Sequence, residues 1–139
     1  MILLDTSVLS EAMKPEPDAI VLAWLDAQAA ESLYITSISI AELLAGIGVL
    51  PNGPGKDGLA KALDRTLQMF SGRMLTFETM AAWSYADLAV KAIKRGKSYA
   101  TADIYIAAIA AAHGLPVASQ NARIFESLDI LAIDPWQAN

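Results

Sequence analysis

The 139-residue sequence contains no cysteine, which excludes disulfide scaffolds, thiolate zinc sites and cysteine nucleophiles. It has one histidine, so neither a pair of imidazoles for acid–base work nor a histidine-rich metal cluster can be built within one chain. Basic residues are scarce. The 10 Lys plus Arg face 15 Asp plus Glu, and the net charge of −5 excludes a general polycation that coats nucleic acid. Charged residues make up only 18% against 55% hydrophobic, a composition that fills a core and does not stay disordered. Long apolar runs are missing too: the longest, Ile104 to Ala112, is too short to span a bilayer. The start, Met1-Ile2-Leu3-Leu4-Asp5, brings a charge early and has no basic leader. We therefore expect neither a signal peptide nor an anchor, no membrane partner, and a cytoplasmic protein. Chemistry must then rest on carboxylates, hydroxyls, amides, cations or a borrowed metal.

Short runs rich in branched residues alternate with stretches of helical period, the pattern of an α/β domain with a parallel sheet. Strands are expected at residues 2–5, 33–36, 73–77, 115–119 and 130–133. Between them we expect helices over 6–14, stopped by Pro15 and Pro17, and over 17–30. The next would carry Ile40, Leu43, Leu44 and Ile47, capped by Ser37 or Ser39. Three more fall at 59–70, at 79–95 closed by Gly96, and at 100–113 closed by Gly114. Residues 51–58 hold two prolines and three glycines, which predicts a loop between helices rather than a domain boundary.

The informative feature is a set of carboxylates in otherwise apolar surroundings, where Asp and Glu are rarely found unless paired or bound to a cation. Asp5 ends the apolar run Ile2-Leu3-Leu4, Glu42 interrupts Ile38-Ser39-Ile40-Ala41-Glu42-Leu43-Leu44, and Asp103 lies in the first turn of the most hydrophobic helix. Each has an ordinary explanation alone: Asp5 as a helix cap, Asp103 as a complement to a helix dipole, Glu42 on a solvated edge. Together they point elsewhere. In an open parallel sheet the ligand crevice lies beyond the carboxyl ends of the strands, where all three can converge. Converging carboxylates repel and need raised pKa values, a basic side chain or a metal. No Lys or Arg lies within three residues of Asp5 or Glu42. A hard cation is the economical solution, and an all-oxygen donor set suits Mg²⁺ or Mn²⁺ better than Zn²⁺. The matching chemistry is phosphodiester hydrolysis by an activated water.

The segments Leu3-Leu4-Asp5-Thr6-Ser7-Val8-Leu9-Ser10-Glu11, Ala41-Glu42-Leu43 and Ala102-Asp103-Ile104-Tyr105-Ile106-Ala107-Ala108 resemble the PIN-domain family. More narrowly, they are similar to the VapC-type ribonuclease toxins, including the FitB branch, of bacterial toxin–antitoxin pairs. The resemblance runs from Ile2 to the terminal Asp134-Pro135-Trp136. It implies a single three-layer α/β domain over residues 1–139, with a five-stranded, mostly parallel sheet flanked by helices. It further implies a Mg²⁺- or Mn²⁺-dependent endoribonuclease that leaves a 5′-phosphate and a 3′-hydroxyl. In that reading Asp5, Glu42 and Asp103 bind the metal and Thr6 supports Asp5 by hydrogen bonding. A cognate antitoxin would hold the toxin, often by placing a basic side chain among the acids.

The sequence departs from the family after the fourth strand. Asn121 stands where the family has Asn or Asp, Ile124 where many members have an acid, and Ser7 where Asn is usual. Asn121 is either a catalytic residue that orients water or a turn residue, and Ser119 is a candidate donor to a site carboxylate. Lys91, Lys94, Arg95 and Lys97 either steer a phosphate backbone or compensate a helix C-terminus, and Arg123 is either a phosphate contact or solvated. His113 reads as a residue of a helix end, and Trp24, Trp83 and Trp136 as packing. Tyr99 and Tyr105 read as core residues that could stack a base only if exposed. Leu44, Ile47, Val49 and Leu50 serve a homodimer, a partner groove or ordinary packing equally well.

Two other classes compete. An aspartyl-phosphate phosphatase or phospho-acceptor also places an Asp at a strand end, but the former wants a second Asp at position 7 and the latter a Lys after a later strand. The other is a non-catalytic module whose acidic pocket receives a basic side chain of a partner protein.

Overall fold

The computed structural model describes residues 1–138; Asn139, the last residue of the expected domain, lies outside the described residues. Strands β1 (Ile2–Leu4), β2 (Leu33–Thr36), β3 (Met74–Leu75), β4 (Val117–Ala118) and β5 (Ala132–Ile133) form one sheet in the order β3-β2-β1-β4-β5. Every neighbouring pair is parallel. β2 spans the whole of its expected run, whereas the other four strands are shorter than theirs.

Among the described residues seven α-helices connect and cover the strands: α1 (Thr6–Ala12), α2 (Ala19–Asp26), α3 (Ser37–Gly48), α4 (Pro54–Met69), α5 (Thr79–Lys94), α6 (Thr101–His113) and α7 (Ala122–Ser127). Alternation along the strands divides the apolar side chains between two cores. Leu3 and Val117 point into one, built with Ile106, Ala107 and Ala110 of α6, Leu88 of α5 and Phe125 of α7. Leu4 and Ala118 point into the other, with Val8 and Leu9 of α1, Val21 of α2, Leu43 of α3 and Leu63 of α4. The chain is thus a three-layer sandwich with both sheet faces covered, as parallel sheets require.

The connections explain where a ligand can sit. From β1 the chain works outward through β2 to β3, then returns past α5 and α6 to place β4 on the other side of β1. The order reverses between β1 and β4, so the crevice of such a sheet opens where those two strands end. Asp5 and Ser119 are the residues that follow them, and the Asp5 N–H donates to the Ala118 carbonyl at 2.9 Å.

Several local expectations are corrected. Residues 51–58 are not all loop: α4 begins at Pro54, whose fixed φ suits the first helical position. It follows Gly53 at φ 150°, a backbone state that favours glycine. The cap of α3 is Thr36, whose hydroxyl accepts the Ser39 N–H, rather than Ser37 or Ser39. α7 was not anticipated and occupies the stretch after β4. Gly114 ends α6 as expected, in the left-handed region at φ 65°. Trp24 and Trp136 pack, but Trp83 is 71% exposed on α5 and does not. Among the described residues no helix is long and apolar enough to cross a membrane.

Glu11, part of the motif after β1, belongs to the fold rather than to the crevice. Its carboxylate pairs with Lys14 at 2.9 Å and accepts the Asp18 N–H at 3.0 Å, latching the Pro-containing turn that follows α1. The Lys14 ammonium, with that N–H, holds the Glu11 carboxyl below its ordinary range.

Phe125 is fully buried, whereas Leu131 is 74% exposed. Phe125→Ala is therefore expected to cost about 3–5 kcal/mol in urea unfolding, the range for emptying a large aromatic site. Leu131→Ala should stay within about 0.5 kcal/mol, as surface changes do.

Candidate functional site

Asp5 stands at the N-cap of α1 with only 4% of its surface exposed, yet its carboxylate does not cap the helix. Oδ2 instead accepts two hydroxyl hydrogen bonds, from Ser119 at 2.7 Å and from Ser7 at 2.9 Å. Both hydroxyls are themselves held: Ser119 Oγ accepts the Asn121 N–H and Ser7 Oγ accepts the Gln120 N–H. The ends of β1 and β4 are in this way stitched together through one carboxylate. No hydrogen bond among the described residues reaches Asp5 Oδ1.

Glu42 lies on the exposed side of α3 and is reached from α1: Thr6 Oγ1 donates to its Oε1 at 2.6 Å. Thr6 therefore supports Glu42 and not Asp5, because as the first residue of α1 it faces α3 rather than the strand end. Its other neighbour is Ser39, whose hydroxyl lies 2.7 Å away.

Asp103 sits half-buried in the first turn of α6, with no hydrogen bond to its carboxylate among the described residues. Its pKa is raised, first by burial and then by the negative charges of Asp5 and Glu42. The three acids thus share one electrostatic field, and Asp103 registers it. No base offsets that field. The ion pairs among the described residues are Lys14–Glu11, Lys91–Asp129 and Arg95–Asp129, and none involves these acids.

A divalent cation fits this set in donor chemistry and in charge. The donors are all oxygens and, among the described residues, each acid keeps at least one oxygen without a hydrogen-bond partner and none is ion-paired. It does not fit a ready-made cage: among the described residues, no group of three acidic or imidazole side chains is drawn close enough to hold an ion. Asp5, Glu42 and Asp103 are neighbours in one field whose oxygens still face hydroxyls or one another's repulsion.

The other candidates separate from this group. Asn121, exposed at the N-cap of α7, joins the network only through its backbone N–H, and it lines a cleft of about 200 Å³ with Arg123 and Asp134. Lys91 and Arg95 are committed to the turn after α7. Both reach Asp129, at 2.6 and 3.4 Å, and Arg95 also donates to the Ser127 carbonyl. Tyr105 stacks on Tyr85 with ring centroids 5.1 Å apart, and Phe77 meets both rings edge-on. The Tyr99 hydroxyl bonds Ser127. His113, ten residues beyond Asp103 on α6, lies about 15 Å further along the helix axis at 1.5 Å per residue.

The sequence offers Ser39 only as a candidate cap and does not single out Thr36, yet both are completely buried polar residues. The signal was present as a hydroxyl at the cap position 36, another three residues on at 39, and Glu42 one further helical step along the same side of α3.

The raised Asp103 pKa has a consequence for stability. Between its unfolded and folded pKa values the folded chain binds more protons than the unfolded one, so this group's contribution falls as pH rises through that window. In metal-free protein Asp103→Asn is expected to raise the melting temperature at neutral pH, and the gain should vanish on acidification below the ordinary carboxylate range. Calorimetry across that pH span checks it; an unchanged or lowered melting temperature at neutral pH would contradict it.

Known proteins resemble the chain in sequence and in fold. The PIN domain model matches residues 2–131. The chain is 44% identical over 138 residues to "VapC ribonuclease Y4jK" of Sinorhizobium fredii, covering 99% of each chain. It is 42% identical over 137 residues to "Toxin FitB" of Neisseria gonorrhoeae, covering 98% of this chain and 99% of that one. The crystal structure of FitAcB from Neisseria gonorrhoeae superposes with a TM-score of 0.91 at 41% identity, covering 99% of both chains. A five-stranded parallel sheet, matched in sequence and fold over nearly its full length, makes this chain a member of the PIN-domain family.

Proposed function

We propose that the chain is the toxin of a toxin–antitoxin pair and acts in the cytoplasm as a divalent-metal-dependent endoribonuclease, with Mg²⁺ or Mn²⁺ as its ion. The observation that carries this reading is the unbalanced charge at the switch point: Asp5, Glu42 and Asp103 share a field that no Lys, Arg or His neutralises. Relatives named as a VapC ribonuclease and as the toxin FitB support the substrate class and the biological role.

In this reading Asp5, Glu42 and Asp103 hold the ion. When bound, it would supply Lewis-acid activation of water and charge neutralisation at the scissile phosphate. The protein's own part is orientation. Ser7 and Ser119 hold the Asp5 carboxylate through Oδ2, leaving Oδ1 without a hydrogen-bond partner among the described residues, and Thr6 holds Glu42 through Oε1. The attacking oxygen comes from water, because the hydroxyls of Thr6, Ser7 and Ser119 already donate to carboxylates and no imidazole is at hand to activate them. Asn121 serves as an auxiliary group at the rim that orients water or substrate, adding no charge.

The same acidic crevice suits an antitoxin that inserts a basic side chain among the three acids, silencing the enzyme by occupying the ion's place. A purely non-catalytic binding module is the second reading, favoured by the open spacing of the acids. Cleavage of structured RNA by the purified chain separates the two. Cleavage should depend on Mn²⁺ or Mg²⁺ and leave 5′-phosphate and 3′-hydroxyl ends. Asp5→Asn and Asp103→Asn should each lower it by on the order of 10²-fold or more, the scale for losing one preorganised electrostatic contact. Asn121→Ala should lower it by less. Metal-independent cleavage, or equal cleavage by the Asp variants, would overturn the assignment.

A further inference from the structure

Two polar side chains near the crevice are completely buried, and capping of α3 accounts for only part of what they do. Thr36, the last residue of β2, and Ser39, in the first turn of α3, both have 0% exposure. Capping explains one bond, from the Ser39 N–H to Thr36 Oγ1 at 3.1 Å. It does not explain why Ser39 carries a hydroxyl, or why that hydroxyl lies 2.7 Å from Thr6.

The direction of the hydrogen bonds follows from proton counting. An ionised carboxylate only accepts, so the single Thr6 hydroxyl proton is spent on Glu42 Oε1. Thr6 Oγ1 must then accept from Ser39, and the Ser39 oxygen is left to accept from Thr36 Oγ1, a longer bond at 3.4 Å. The result is a one-way chain: Ser39 N–H to Thr36, Thr36 to Ser39 Oγ, Ser39 Oγ to Thr6, Thr6 to Glu42. Each hydroxyl accepts once and donates once, and successive bonds polarise one another toward the carboxylate.

We infer that Ser39 and Thr36 are positioning residues for Glu42, acting through Thr6. Glu42 is a long side chain on an exposed helix surface, and without an anchor it would sample several rotamers. The chain ties it to the N-terminus of its own helix and to the first residue of α1. This holds Oε1 in place while leaving Oε2 for a ligand. The inference rests on the reading of Glu42 as part of the ion site, but its ordering of Glu42 is measurable without any ion.

The test uses the full chain in wild type, Ser39→Ala, Thr36→Val, Thr6→Val, Thr6→Ser and Glu42→Ala forms, and the Ser39→Ala/Glu42→Ala double variant. In metal-free protein, ¹³C relaxation of the Glu42 methylenes should show an ordered side chain in wild type and Thr6→Ser and a mobile one in Ser39→Ala, Thr36→Val and Thr6→Val. Mn²⁺ titration by calorimetry should show Ser39→Ala binding about ten-fold more weakly, the low end for groups that orient a metal ligand. In the Glu42→Ala background the same change should make no further difference, because Ser39 acts only through Glu42. An equally ordered Glu42 in Ser39→Ala or Thr36→Val, a mobile Glu42 in wild type, or an undiminished Ser39 effect in Glu42→Ala would each overturn the inference. If wild type takes no Mn²⁺, the ion reading falls, and the relaxation data still decide the hydroxyl chain. Should Ser39→Ala fail to fold, the same relaxation measurement on Thr36→Val decides it.

Discussion

Repulsion among three carboxylates is the constraint on which the rest of this structure depends. Asp5, Glu42 and Asp103 come from distant parts of the chain and are brought into one field with no basic side chain between them. A chain selected only for stability would have placed a Lys or Arg there, or replaced an acid by its amide. Functional sites commonly carry such locally unfavourable arrangements, offset by stability elsewhere. Here the offset is two apolar cores, one on each face of the sheet, that pin the elements from which the acids project: the end of β1, the middle of α3 and the first turn of α6.

The choice of hydroxyls as partners follows from the same constraint. A lysine beside Asp5 would orient it but also cancel its negative charge. Serine and threonine donate hydrogen bonds while leaving the net charge untouched. Ser7, Ser119 and Thr6 therefore fix the carboxylates without dimming the field. The basic residues that do form ion pairs stand elsewhere: Lys14 latches the turn after α1, and Lys91 and Arg95 clamp Asp129.

Much of the fold was legible because the relevant signals are local. Alternating branched runs and helical stretches gave the α/β class, and β2, α5 and α6 fall within a residue or so of their expected bounds. What misled was composition read without geometry. Prolines and glycines at 51–58 suggested a loop, although Pro54 is well suited to open a helix. The six-residue α7 escaped because its one fully buried side chain, Phe125, leaves no period to recognise. Trp83 was assigned to packing from its type alone, and an exposed position on α5 is a matter of which face the helix turns outward.

The site was legible at the level of charge and not of hydrogen bonding. Acids in apolar surroundings stand out in a sequence, so Asp5, Glu42 and Asp103 could be singled out together. The partner of Thr6 could not, since the choice between Asp5 and Glu42 depends on how α1 packs against α3. Thr36 and Ser39 pass for ordinary capping residues until the distance from Ser39 to Thr6 is known.

The central claim is that one divalent ion resolves the repulsion. Crystals grown with Mn²⁺ and without a partner protein, measured at the manganese absorption edge, address it directly. The account predicts a single anomalous peak at the switch point, at bonding distance from oxygens of Asp5, Glu42 and Asp103, with the carboxylates drawn inward from their ion-free spacing. Saturating Mn²⁺ with no peak there, or a peak bound only by surface acids such as Asp129, would contradict it.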